Sequence, residues 1–424
     1  MIKLLNKLLR NVYVQGSFFL TVSSLLINFI NYLFHFLAAR ILKPAGYGNL
    51  AAFYSYAIIC SVPILVFTVI IVQRIGSHVK NSRQYTRTIV IRFLLILKKI
   101  LPILFLLFLL TPLLSSYTNL PVEITYLIFP SILLSSVLGF YLAVFQGLKI
   151  FLLFSILSLI LALSKLLSIF LPLFYLGQLF HVLLFQTTGI AFVLLISAFY
   201  TNKFLKLTDT ELSKSSRTNL DKIIFNRQFF ITLMSMMAIV IISNYDIIYV
   251  KRNFEANVAG FYSAWSIFGK ITYYLVGPVL QVVLVFFSNR SQSKSQEKVL
   301  YFSGALIVLV GIFTYFSYKF IGERFVLILF GNQYQSIYAY LGYASLYGIT
   351  YSCLNLMNTY FLAKNSLSAL ILPVALPAYL FLITQVKDSL QNIMHLNIYF
   401  SASVFLLYTC SYIYSRLRAN NGNR

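Results

Sequence analysis

Two lysines stand where an ammonium group is hard to accommodate. Lys270 lies in the apolar run AWSIFGKITYYLVGP and Lys165 in LSLILALSKLLSIFLPLF. If these runs cross a bilayer, each buried charge costs ~3 kcal/mol on insertion scales and must face a wet cavity or a partner. Lys270 sits about twelve residues into its run, ~18 Å from the near end at the helical rise. Its stem reaches only ~6 Å, so snorkelling to either surface is difficult. The chemistry such a lysine offers is anion binding, because a compact cation suits phosphate and a low dielectric strengthens the attraction. The alternative for Lys270 is a lysine satisfied by backbone carbonyls or a carboxylate. For Lys165 the alternatives are a second rung for the anion and a helix set in a different register.

Other polar groups stand in or near apolar runs. Asp246 is the one carboxylate clearly within a run; it couples a cation to transport or balances Lys270, or else it sits at the interface paired with Lys251 or Arg252. Arg40 either receives an anionic group or anchors the interface, and His35, one turn deeper, either titrates or is structural. Asn28, Asn31 and Asn244 offer hydrogen bonds to a polyhydroxylated ligand or between helices. Pro63, Pro130 and Pro278 free backbone carbonyls within runs, and Gly277–Pro278, two turns beyond Lys270, is a candidate hinge. The 31 Tyr and 40 Phe belong mostly to interfacial belts and lipid-facing surfaces. Cys60, Cys353 and Cys410 are far apart and show no metal-ligand spacing, so neither a metal nor a cofactor is expected.

The elements that must position these residues are membrane helices. With 60% hydrophobic and 10% charged residues and a mean hydropathy of +0.85, the 424-residue chain lies outside the range of soluble domains. Twelve apolar spans can be drawn, roughly 14–39, 46–71, 93–115, 122–146, 151–173, 178–200, 228–250, 258–287, 299–318, 336–362, 367–386 and 396–415. The formal charge of +24 does not imply nucleic acid, because the Lys and Arg residues fall in short loops between spans. On that topology 24 of them share the side of the two termini and seven lie opposite, which places both termini in the cytoplasm. The first run extends to about Ala39 without a convincing cleavage site, so the first helix is expected to persist.

The longest non-membrane stretch, the polar and basic segment 201–227, divides the chain into a six-helix lobe at 1–200 and another at 228–424. The second and eighth spans open alike, with AGYGNLAAFYSY from Ala45 and AGFYSAWSIFGK from Ala259. That repeat at equivalent positions suggests a duplicated bundle, an architecture that lets one half rock against the other.

AARILKPAGYGNLAAF, NYDIIYVKRNFEANVAGFYSAWSIFGK and ILFGNQYQSIYAYL resemble the junctions of Wzx-type polysaccharide-unit flippases. Their superfamily also holds the multidrug and toxic compound extrusion transporters and the lipid II flippase. The resemblance implies an all-α integral membrane protein of about twelve helices in two six-helix bundles, in the bacterial inner membrane. It implies a substrate of undecaprenyl diphosphate carrying an oligosaccharide, moved to the outer leaflet for O-antigen, capsule or related polysaccharide. A polysaccharide polymerase and a chain-length regulator would be its partners.

Three rivals fit less well. A sugar-transfer enzyme would need clustered carboxylates, and the nine acidic residues include no Asp-x-Asp pair; the longest outer loop, about 319–335, is also short. A cation-coupled drug exporter would need buried carboxylates in its first six helices, where Glu123 is only interfacial and the deep charges are positive. A pure scaffold would not need buried lysines at all.

Overall fold

The computed structural model describes residues 12–77, 82–174, 179–205, 227–288, 293–387 and 389–421. The basic start at 1–11 and most of the central connector, 206–226, lie outside the described residues. The described residues are helical throughout, with no strand among them. Each apolar run becomes a helix because hydrocarbon offers the backbone no partner, so every amide must bond within its own segment.

α1 spans Val12–Ser77 and is broken at Lys43 (φ 58, ψ 173). The break follows from Pro44, whose ring pushes the preceding residue out of the helical region. α1 contains the apolar stretch Leu20–Gly76 of 57 residues, ~86 Å of helix, enough for two crossings of a ~30 Å hydrocarbon core. There follow α2 (Ser82–Leu109), α3 (Leu113–Thr118), α4 (Val122–Gly147), α5 (Phe151–Ser168) and α6 (Leu179–Leu205). The second half has α7 (Arg227–Ile242), α8 (Tyr245–Asn253), α9 (Ala256–Ser288), α10 (Ser293–Leu329), α11 (Leu341–Ala363), α12 (Ile371–Thr384) and α13 (Leu390–Asn421).

Eight segments, with α7–α8 as one, meet the length and apolarity needed for a crossing. The broken α1 supplies a second crossing, and α2, α9 and α11 have spanning lengths of 28, 33 and 23 residues. The described residues thus account for about twelve crossings. Three boundaries differ from the sequence expectation: α10 runs on to Leu329 rather than 318, so most of the outer loop expected at about 319–335 is helical. α2 begins at Ser82 rather than 93, because Arg83, Arg87 and Arg92 extend a helix that apolarity alone starts later. The seventh span, expected to be continuous over 228–250, is interrupted between Ile242 and Tyr245.

The chain forms two compact units, one of Met1–Leu42 with Cys60–Phe225 and the other of Lys43–Ile59 with Asn226–Arg424. They differ from the lobes 1–200 and 228–424 in that the segment Lys43–Ile59 goes with the second unit and the first unit extends to Phe225. In unit 1, Ile71, Ile75, Val90, Phe140 and Val144 form one core cluster, and Phe93 stacks on Phe140 at 3.7 Å. Hydroxyl pairs tie its helices, Ser23 to Ser155 at 3.0 Å and Ser131 to Thr187 at 2.7 Å, as expected where apolar side chains gain little by leaving lipid for protein.

In unit 2, the three stretches that carry the family resemblance converge. Tyr47 meets Tyr334 edge-on at 6.4 Å, and Phe261 meets the same ring at 5.7 Å. A Cβ on Gly260 would lie 2.0 Å from the Pro44 carbonyl oxygen, and one on Gly48 would lie 3.0 Å from the Gly260 nitrogen. The repeated Ala-Gly-aromatic steps therefore touch each other, and glycine is required where the backbones meet.

Candidate functional site

The α7–α8 break organises the polar residues of unit 2. Asn244 sits at the N-cap of α8 with φ −136, and its Nδ2 donates to the Val240 carbonyl at 2.8 Å and to Ser243 Oγ at 2.9 Å. The amide thereby occupies a carbonyl near the interruption. Its Oδ1 is left facing α9, where it accepts from Lys270 Nζ at 3.2 Å. Lys270 is held in place by the crossing of α9 and α11: a Cβ on Gly348 would lie 2.6 Å from the Gly269 carbonyl oxygen. The partner of Lys270 is a side-chain amide, neither a carboxylate nor the backbone.

Asp246, in the first turn of α8, is fully buried. Its Oδ2 accepts from Tyr262 Oη at 2.6 Å and from Asn397 Nδ2 at 3.0 Å, and its Oδ1 accepts from the Ile247 backbone N–H at 2.9 Å. Tyr379 Oη donates to Asn397 Oδ1 at 2.8 Å. The expected pairing of Asp246 with Lys251 or Arg252 is overturned, since its partners are these three donors. Lys270 lies within electrostatic range of the carboxylate, yet the two form no ion pair. An aromatic row lies beside them: Trp265 is stacked on Tyr347 at 5.8 Å and donates from Nε1 to the Tyr340 carbonyl at 2.9 Å. Tyr347 leads to Tyr351, and Tyr351 to Tyr273 at 5.2 Å.

Unit 1 repeats the lysine–amide arrangement. Lys165 Nζ donates to Asn31 Oδ1 at 3.2 Å and lies 4.7 Å above the Phe34 ring, a cation–π contact that adds to the hydrogen bond. His35 packs edge-on against Phe34.

The sequence candidates thus divide. The fold brings Asn244, Asp246 and Lys270 together in one unit and Asn31 and Lys165 in the other. Arg40 and Asn28 are exposed and join neither cluster. Gly277 lies within α9, with nothing inside 4 Å of an added Cβ; the Pro278 side chain lies outside the described residues. Tyr262, Tyr379 and Asn397 escaped the sequence reading. Asn397 stands at the edge of its expected span, in MHLNIYF, and was legible as a strong polar group entering an apolar run. The two tyrosines had no signal separating them from the other 29.

A family model described as "Polysaccharide biosynthesis protein" matches residues 13–289. No curated protein matches the chain. Among solved structures it is similar to the lipid II flippase MurJ in an inward closed conformation, at 14% identity and a TM-score of 0.67 over 93% of this chain and 87% of that one. It is also similar to a MATE protein in complex with MaL6, at 12% identity and 0.62 over 98% of each chain. A transporter of the MOP superfamily from Pyrococcus furiosus gives 13% and 0.62 over 99% and 98%. At these identities the likeness is one of fold, an all-α arrangement of multi-pass membrane helices.

Proposed function

The chain belongs to the polysaccharide biosynthesis protein family, and on that premise we propose that it flips an undecaprenyl-diphosphate-linked oligosaccharide across a bacterial inner membrane. The direction is from the cytoplasmic to the outer leaflet by alternating access, supplying O-antigen or another surface polysaccharide. One observation carries the reading. Each unit holds a lysine within a membrane helix, and each lysine donates to a neutral asparagine oxygen 3.2 Å away. An amide satisfies one donor without cancelling the charge, so the site keeps a cation for an anionic ligand. A carboxylate in the same place would have neutralised it.

In this mechanism Lys270 and Lys165 attract the diphosphate, and Asn31 and Asn244 hold the lysines and exchange their bonds for phosphate or sugar oxygens. Asp246, which accepts from three donors, balances the charge of Lys270 when the substrate leaves. A cation-coupling role for Asp246 has one supporting observation: the buried hydroxyls of Ser266 and Ser401 have no partner and lie one turn along from Tyr262 and Asn397. Arg40 and His35 take the outward end of the path, and Gly277–Pro278 provides the bend. Nothing in the transfer needs a nucleophile or a metal, so the role is transport rather than catalysis. The 24 to 7 distribution of Lys and Arg supports cytoplasmic termini, and a polymerase and a chain-length regulator would receive the product.

The test is genetic. Lys270→Ala should abolish surface polysaccharide in the source organism at normal membrane levels of the protein, and Lys270→Arg should retain part of it. Normal polysaccharide with Lys270→Ala would remove the lysine from the mechanism.

A further inference from the structure

Unit 1 contains an open cleft of about 530 Å³ that the lysine sites do not use. One wall is a single face of α1 beyond its break, running from Ser61 to Gln73; the other is α4 from Gly139 to Gln146, with Phe154 of α5 at the side. The rise from Ser61 to Gln73 makes the α1 wall ~18 Å long, close to one leaflet of a ~30 Å hydrocarbon core. Leu65, Val69, Val72, Leu142 and Phe154 make its length apolar. Gly139 and Ala143 hollow the α4 side, with the nearest atom to a Cβ on Gly139 being a Thr68 methyl at 4.0 Å.

The two side-chain amides of the lining lie at one end, with Thr68 midway and Ser61 at the other end. Gln73 of α1 and Gln146 of α4 both line the cleft there, and neither side-chain amide has a hydrogen-bond partner among the described residues. Arg74 and Lys149 follow them by one and three residues, so the same end is cationic. Neutral amides with adjacent cations suit a phosphate, and a leaflet-long apolar groove leading from them suits a hydrocarbon chain.

We propose that this cleft binds the isoprenoid chain of a polyprenyl phosphate carrier, with the phosphate at the Gln73–Gln146 end. The branched walls and the notches at Gly139 and Ala143 favour a methyl-branched chain over a straight acyl chain. The proposal rests on the reading of a lipid-linked substrate above, and makes this cleft the place where the carrier chain docks on the side bearing Arg74 and Lys149.

The test uses the full-length protein in zwitterionic nanodiscs with a sugar-free polyprenyl phosphate bearing a photoreactive group on its chain. Mass spectrometry should place the crosslinks on the peptides containing Leu65–Val72 and Leu142. Unlabelled undecaprenyl phosphate should compete on the order of tenfold better than phosphatidylglycerol or the phosphate-free polyprenol, a difference of ~1.4 kcal/mol. Gly139→Leu, which fills the cleft, should lower labelling by a similar factor without changing elution or melting. Crosslinks placed elsewhere on the wild-type protein would overturn the proposal even if that variant fails to fold. Equal competition by phosphatidylglycerol would overturn the isoprenoid assignment, and equal competition by the polyprenol would overturn the phosphate end. Lys270→Ala should keep cleft labelling while losing glycan flipping. Labelling absent from a protein that flips glycan would sink the cleft alone; labelling present in a protein that flips none would sink the function alone.

Discussion

Asparagine is the unobtrusive partner in both lysine sites, and its removal should be felt. Asn244→Leu or Asn31→Leu leaves an intramembrane ammonium short of an acceptor, which costs ~1–3 kcal/mol for an unsatisfied buried group. A lowered melting temperature in detergent is therefore expected for both. Tyr262 and Asn397 face the same problem when their acceptor is removed. Asp246→Ala should destabilise unit 2 more than Asp246→Asn, which keeps an oxygen near both donors; equal melting temperatures would mean that the network carries no stability. The lysines were legible because a charge in an apolar run has few bland explanations. The network around Asp246 was not legible, because its donors Tyr262 and Asn397 lie 16 and 151 residues away along the chain. Tyr262 and Tyr379 were invisible for a related reason: a tyrosine that donates to a buried acceptor reads the same as one that anchors an interface.

Two glycines of α9 make opposite predictions for the element they share. At Gly260 the added Cβ would meet the Pro44 carbonyl oxygen at 2.0 Å, whereas at Gly277 it meets nothing within 4 Å. Gly260→Val should therefore cost at least the ~1–3 kcal/mol of overpacking, read as a fall in melting temperature and in folded yield. Gly277→Ala should be neutral or stabilising by up to ~1 kcal/mol, the gain in helix propensity. If Gly277 acts as a bend, the same change should slow transport without lowering stability, which separates a hinge from a packing residue. The repeated Ala-Gly-aromatic step was legible as a repeat. Its contact was not, because nothing in a pattern along the chain tells that two copies pack on each other and on Tyr334.

At the scale of the whole molecule, hydropathy yielded most of the architecture, since the bilayer restricts a chain of this composition to spanning helices. The assignment of Lys43–Ile59 to the second compact unit was out of reach, because it depends on contacts far apart in sequence. The orientation makes a direct prediction. In a cysteine-free background, a reporter cysteine at Phe254 should react with a membrane-impermeant maleimide in intact cells, and one at Asn365 should react only after permeabilisation. The reverse pattern would invert the topology and the direction of transport with it.

The central claim is that Lys270 handles the diphosphate of a lipid-linked glycan. Its most direct test is flipping of a polyprenyl-diphosphate oligosaccharide in proteoliposomes, followed by the protection of the sugar from an external glycosidase. The wild-type protein should equilibrate the lipid between leaflets, Lys270→Arg should do so more slowly, and Lys270→Ala should leave it near the protein-free rate. Wild-type flipping by Lys270→Ala would contradict the account.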